Sequence, residues 1–117
     1  MPRTKIFQIH YDDASRRKLD PGFLPLDNSL SPDAQWYEFW PILNYLNTNA
    51  LEDDVWYGFL SPKFTRKFNA SSAYVEGFLK RIPPETEVAL FSPGWDQLCF
   101  FQNPWEQGEV WHPGVSE

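Results

Sequence analysis

The chain has one cysteine, Cys99, no long apolar run and no excess of positive charge, and each shortage excludes a class of protein. A single thiol cannot close an intramolecular disulfide. Within Leu98-Cys99-Phe100-Phe101 it reads as a buried structural thiol rather than a nucleophile. No stretch approaches the roughly 18 apolar residues of a membrane span. The opening Met-Pro-Arg-Thr-Lys leads into a short strand pattern rather than the apolar core of a secretory signal, so the cytoplasm is the expected compartment. In that compartment Asn69-Ala70-Ser71 reads as helix-cap chemistry rather than a glycosylation acceptor. Ten Lys plus Arg against sixteen Asp plus Glu give a net charge of −6, which opposes capture of a phosphate backbone and sets nucleic acid aside as a partner. The basic cluster Arg16-Arg17-Lys18 lies among Asp12, Asp13 and Asp20 and reads as a solvated helical turn. There is no Gly-x-x-x-x-Gly-Lys loop, no Gly-x-Gly-x-x-Gly turn, no Gly-x-Ser-x-Gly elbow and no Cys-x-x-Cys pair. ATP hydrolysis, dinucleotide redox chemistry, serine hydrolysis and zinc-finger binding lose support together, and no cofactor is fixed.

Aromatic residues are abundant. Ten Phe, six Trp and five Tyr in 117 residues suffice for one aromatic-rich core, with rings left over for a surface or a partner. Residues 5–11, KIFQIHY, read as a first strand with Ile6, Gln8 and His10 on one face and Phe7, Ile9 and Tyr11 on the other. On that strand His10 reads as a partly buried, hydrogen-bonded residue. Residues 13–19 predict a helical turn, and the proline-rich stretch 20–32 predicts a long loop anchored by Phe23, Leu24 and Leu26. Trp36, Phe39, Trp40, Leu43 and Leu46 recur at helical spacing after a cap at Ser31 or Asp33, with Pro41 forcing a kink or a restart. The acidic turn 52–54 reads as solvated loop. Residues 55–60, VWYGFL, predict a strand covered on both faces, and Val75, Phe78, Leu79 and Ile82 a helix stripe stopped by Pro83-Pro84. Residues 87–91, EVALF, predict a third strand, followed by a helix over about residues 96–102.

The phrase Phe59-Leu60-Ser61-Pro62 returns in Leu90-Phe91-Ser92-Pro93 at the spacing of one βα unit. The expected fold is therefore α/β, three βα units forming a small parallel sheet. So thin a sheet, followed by Trp105 and Trp111, reads as part of a larger fold or as a subunit whose aromatic carboxyl-terminal segment is covered by a partner or a second copy.

Ligands of open parallel sheets bind beyond the carboxyl ends of the strands. That rule selects Tyr11, Asp12 and Asp13, then Ser61 and Lys63, then Ser92, Trp95 and Asp96 as ligand-binding candidates. Asp12 and Asp96 are the candidate catalytic carboxylates, with Asp96 equally suited to capping a helix. Glu106, Glu109 and His112 share one helical face, but Asn103-Pro104-Trp105-Glu106 reads as a cap with Glu106 engaged in it, so no metal is assigned.

The segments KIFQIHYDD, DPGFLPLDN, WYEFWPI, WYGFLSPKF, FSPGWDQ and FFQNPWEQGEVWHPG resemble bacterial proteins of sugar transfer and polysaccharide biosynthesis, of GT-A-like glycosyltransferase type. The resemblance spans nearly the whole chain. It implies the nucleotide-sugar-binding amino-terminal half of such a domain, with Tyr11, Asp12 and Asp13 near the base or ribose and Asp96 near the donor. The Asp-x-Asp with which metal-dependent members hold a divalent ion is missing. Either it lies in further chain, or no metal is used, or the protein is not a transferase. The rival expectation is a noncatalytic module whose exposed aromatics bind a partner subunit or a glycan.

Overall fold

The computed structural model describes residues 3–91 and 100–114. In chain order the elements begin with β1 (Arg3–His10), α1 (Asp13–Arg17) and β2 (Leu24–Asp27). A 3-10 turn over Ala34–Trp36 precedes α2 (Phe39–Thr48) and β3 (Val55–Leu60). Then come α3 (Phe64–Phe68), α4 (Ser72–Leu79) and α5 (Pro104–Trp111). The strands form one parallel sheet in the order β2-β1-β3, with His10 opposite Asp27 and Gln8 opposite Leu60. Among the described residues no helix is long and apolar enough to cross a membrane.

Alternation along β1 sorts the core onto two faces. Ile6 joins Phe23, Phe64, Val75 and Leu79, and Trp56 and Leu60 of β3 pack on the same cluster, so α3 and α4 cover this face. Phe7 points the other way, with its ring 4.6 Å from Tyr45 of α2 and 5.6 Å from Phe59. The result is a three-layer α/β/α sandwich around a sheet of three strands.

Several elements follow from local chemistry. Asp12 caps α1 in a reciprocal capping box with Ser15. Ser71 caps α4, whose Val75 and Leu79 are buried, and Asn69 in the left-handed conformation ends α3. Asn103 caps α5 with Pro104 in its first turn, and Glu106 Oε2 accepts the Gln102 backbone N–H, the expected cap engagement.

Four expectations need correction. The third strand is Leu24–Asp27, inside the stretch read as a loop. Pro25 disguises it, yet a proline is tolerated there because β2 lies at the sheet edge. Residues 87–91 form no ladder; Ala89 and Phe91 pack on the α4-side core while Val88 and Leu90 stay exposed. The stripe from Trp36 to Leu46 does not form one buried face: it is broken at Tyr37, which leaves Trp36 and Phe39 exposed, while α2 makes the expected restart with Pro41 in its first turn. Residues 100–102 are not helical, while 92–99, with the rest of the helix expected there, lie outside the described residues.

Gly22 marks the tightest contact between the β2 approach and α4. A Cβ placed there would stand 2.6 Å from Ser72 Cβ and collide with its hydroxyl, which cannot swing away because it donates to Asp20 Oδ1 at 2.8 Å. Gly22→Ala is expected to lower stability by about 1–3 kcal/mol, seen as a lower urea midpoint at unchanged slope. Gly58→Ala should cost less, since the atom nearest its new Cβ is the mobile Cδ1 of Ile6 at 2.8 Å.

Candidate functional site

The sheet topology decides where a ligand crevice can open. The chain leaving β1 passes over the α4 face, because the Asp20 backbone N–H bonds Gln8 Oε1 and the Asp20 carboxylate holds Ser72 at the start of α4. The chain leaving β2 turns instead to α2, on the Phe7 face. Where connections part to opposite faces a ligand crevice is expected at the carboxyl ends of their strands, here β1 and β2, whose exits are joined by the bond from the Asn28 backbone N–H to His10 O.

Tyr11, Asp12 and Asp13 stand at that crevice. Tyr11 is half exposed, and its backbone N–H donates to Ser15 Oγ at 3.0 Å. Asp12 Oδ1 accepts the Ser15 backbone N–H at 2.6 Å, and Asp13 lies exposed in the first turn of α1. The structure adds His10, 7% exposed at the end of β1, and opposite it Asp27, whose Oδ1 accepts from the Ser29 backbone N–H at 2.8 Å. Asn28 then ties the β2 exit down: its backbone N–H donates to His10 O at 2.7 Å and its Nδ2 to Tyr37 O at 2.8 Å. Asn28 Oδ1 is buried and lacks a donor among the described residues.

Ser61 and Lys63 share the carboxyl edge but sit on the far side of β1, after β3. Gln8, fully buried, separates them from the crevice and donates Nε2 to Ser61 O at 3.3 Å. Ser61 Oγ accepts the Lys63 backbone N–H at 3.1 Å, which fixes the turn and leaves the hydroxyl hydrogen to donate. Ser92, Trp95, Asp96 and Cys99 lie outside the described residues. Asp27, Asn28 and Tyr37 were not singled out from the sequence. The signal was the alternation of Leu24-Pro25-Leu26 running into Asp27-Asn28-Ser29, a strand ending in an Asx turn.

The electrostatics favour binding over acid catalysis. Hydrogen bonds from Ser15 above all hold the Asp12 carboxyl below the ordinary carboxylate range. Those from Ser29, followed by the nearby His10 and Arg16, do the same for Asp27. Carboxylates held ionised at neutral pH accept hydrogen bonds from hydroxyls and cannot serve there as general acids. The amino edge of the sheet is different: Glu52 and Asp54 pair with Arg3 at 2.6 and 2.8 Å, as expected of an exposed acidic turn away from the ligand edge. The larger cleft, about 860 Å³, also lies at that amino end, between Asp53–Trp56 and Pro83–Glu87. It gathers none of the carboxyl-edge groups. Among the described residues no three His, Cys, Asp or Glu side chains converge as a metal site.

Asp20 is the positioning carboxylate behind the crevice. Burial pushes its carboxyl up, but hydrogen bonds from the Ser72 N–H, the Gly22 N–H and the Ser72 hydroxyl together outweigh this and hold it below the ordinary range. A depressed folded-state value contributes stability above the unfolded value, near about 4, and the contribution is lost as pH falls through the folded value. Asp20→Asn is expected to cost about 1–3 kcal/mol at neutral pH, because its amide leaves one donor facing another. Urea titrations from neutral pH into acid should show the gap between wild type and variant closing below about pH 4. No family model, curated protein or solved structure matches the chain, so its function is argued from the topology and the carboxyl-edge residues.

Proposed function

We propose that the chain is a nucleotide-sugar-binding, glycosyltransferase-like domain whose ligand lies across the carboxyl ends of β1 and β2. The observation that supports this reading is the parting of the two connections at that point, beside a half-exposed tyrosine and two ionised carboxylates. Tyr11 offers a face to a base, and Asp12 and Asp27 offer acceptors to ribose or sugar hydroxyls. Arg16, exposed and close enough to influence Asp27, is the cation for a diphosphate. A second reading draws on the exposed Phe100, Trp105 and Val110 around α5, which suit contact with a partner subunit or a second copy.

Thermal denaturation with uridine, guanosine and cytidine diphosphates, with and without manganese, tests the first reading. A ligand at a hundredfold its Kd stabilises by about 2.7 kcal/mol, a rise of several degrees. The rise is expected with one of the three and should be lost in Arg16→Gln and in Tyr11→Ala. No rise with any of them overturns the proposal. Light scattering across a concentration series reads the second, which requires a mass that grows with concentration and stays monomeric in Trp105→Ser.

A further inference from the structure

The loop that leaves β2 carries an unusual group of exposed rings. Trp36 and Phe39 stack on one another, with centroids 5.9 Å apart and planes 27° apart, yet they are 42% and 60% exposed. Tyr37, between them in the chain, is 77% exposed and takes φ 46°, ψ −128°, a conformation that L residues with large side chains adopt at a cost. Its carbonyl is held by Asn28 Nδ2, and Asn28 is bonded in turn to the end of β1. The rings are therefore fixed to the carboxyl edge of the sheet rather than left on a free loop. None of the three belongs to the buried core, and the strained backbone at Tyr37 is not offset by burial of its ring.

The charge around these rings narrows the ligand. Between Lys18 and Lys63 the chain has no lysine or arginine, whereas Asp27, Asp33 and Glu38 flank the rings in sequence. Arg16 lies near Asp27 at the end of β2, but Asp33 and Glu38 lie beside the rings in the chain, so a phosphate or another anion is disfavoured on the rings themselves. A ligand with an apolar face and many hydroxyls is favoured: its C–H face lies on the rings while its hydroxyls donate to carboxylates. At the root of the group, the buried Asn28 Oδ1 has no donor among the described residues.

We infer that Trp36, Tyr37 and Phe39 form a shelf for a neutral pyranose ring, a saccharide subsite on the β2 side of the crevice. The shelf does not depend on the nucleotide reading, since a chain that ignores every nucleoside diphosphate can still bind a neutral glycan here. Saturation-transfer NMR tests it with neutral hexasaccharides of α- and β-1,4-linked glucose, β-1,4-linked mannose and β-1,4-linked N-acetylglucosamine, and with a hexagalacturonate as the anionic arm. At least one neutral sugar is expected to receive saturation and the anionic one none. Trp36→Ala should weaken that binding roughly tenfold or more. Tyr37→Gly removes a ring and relieves the backbone, so it should weaken binding similarly while raising the thermal midpoint. It thereby separates loss of the subsite from loss of the fold. Absence of transfer to every neutral sugar, tighter binding of the hexagalacturonate, or full binding retained in both variants each overturns the inference.

Discussion

The side-chain amide of Gln8 is the interaction on which the arrangement of the carboxyl edge depends. It sits fully buried on the central strand, where a polar group is tolerated only if its hydrogen bonds are made. Its Nε2 reaches the carbonyl of Ser61 after β3, and its Oε1 receives the backbone N–H of Asp20 before β2. One amide thus fixes the loops on both flanks of β1. Asp20 carries the connection onward to Ser72 at the first turn of α4, so the helix whose Val75 and Leu79 fill the core is registered to the sheet through the same chain of bonds. Hydrophobic burial supplies the larger share of the driving force in such a domain but is indifferent to small sliding motions. The amide and carboxylate bonds select one position among them.

The legible parts of the fold were those in which local and tertiary preferences agree. β1, β3 and α4 have strong periodicity and clear stop residues, and α5 has a complete cap signature, so each stands where its residues place it. β2 was hidden because Pro25 argues against a strand unless the strand is known to be an edge, and that is a property of the whole sheet. Residues 87–91 show the converse. EVALF has the alternation of a strand, and Ala89 and Phe91 do turn toward the core, but no ladder forms beside β3. A period-two pattern records which side chains are buried and does not record whether the backbone finds a partner. The site shared this fate: Tyr11, Asp12 and Asp13 were legible from the end of β1, whereas Asp27, Asn28 and Tyr37 depended on seeing β2.

The two ends of the sheet handle charge in different ways. At the amino end, Arg3 and Lys5 meet Glu52 and Asp54 in exposed ion pairs that neutralise one another and leave little to attract a ligand. At the carboxyl end the carboxylates of Asp12 and Asp27 are held mainly by backbone N–H groups of the turns they cap. Such bonds fix the group in place, and the cations nearby, Lys18 for Asp12 and Arg16 for Asp27, act on them without a direct ion pair among the described residues. The two ends of the sheet thus differ in a way that net charge alone does not reveal.

The crevice and the strained loop beside it have one structural origin. Because β2 must pass its chain to α2 on the Phe7 face while β1 passes its chain to the other, the segment after Asp27 has to turn away from its neighbour at once. Asn28 takes up that turn by bonding both to His10 and to Tyr37, which draws the start of the α2 segment back over the sheet end. A helix running unbroken from Asp33 would carry Trp36 and Phe39 along the stripe that Pro41 and Tyr45 bury. The positive φ at Tyr37 interrupts it and leaves Trp36 and Phe39 partly or largely exposed, tied through Tyr37 O and Asn28 to the carboxyl end of the sheet. Strain of this kind costs on the order of 1–3 kcal/mol. A glycine there would avoid most of it, and the tyrosine, 77% exposed, returns little of that cost through packing within the domain.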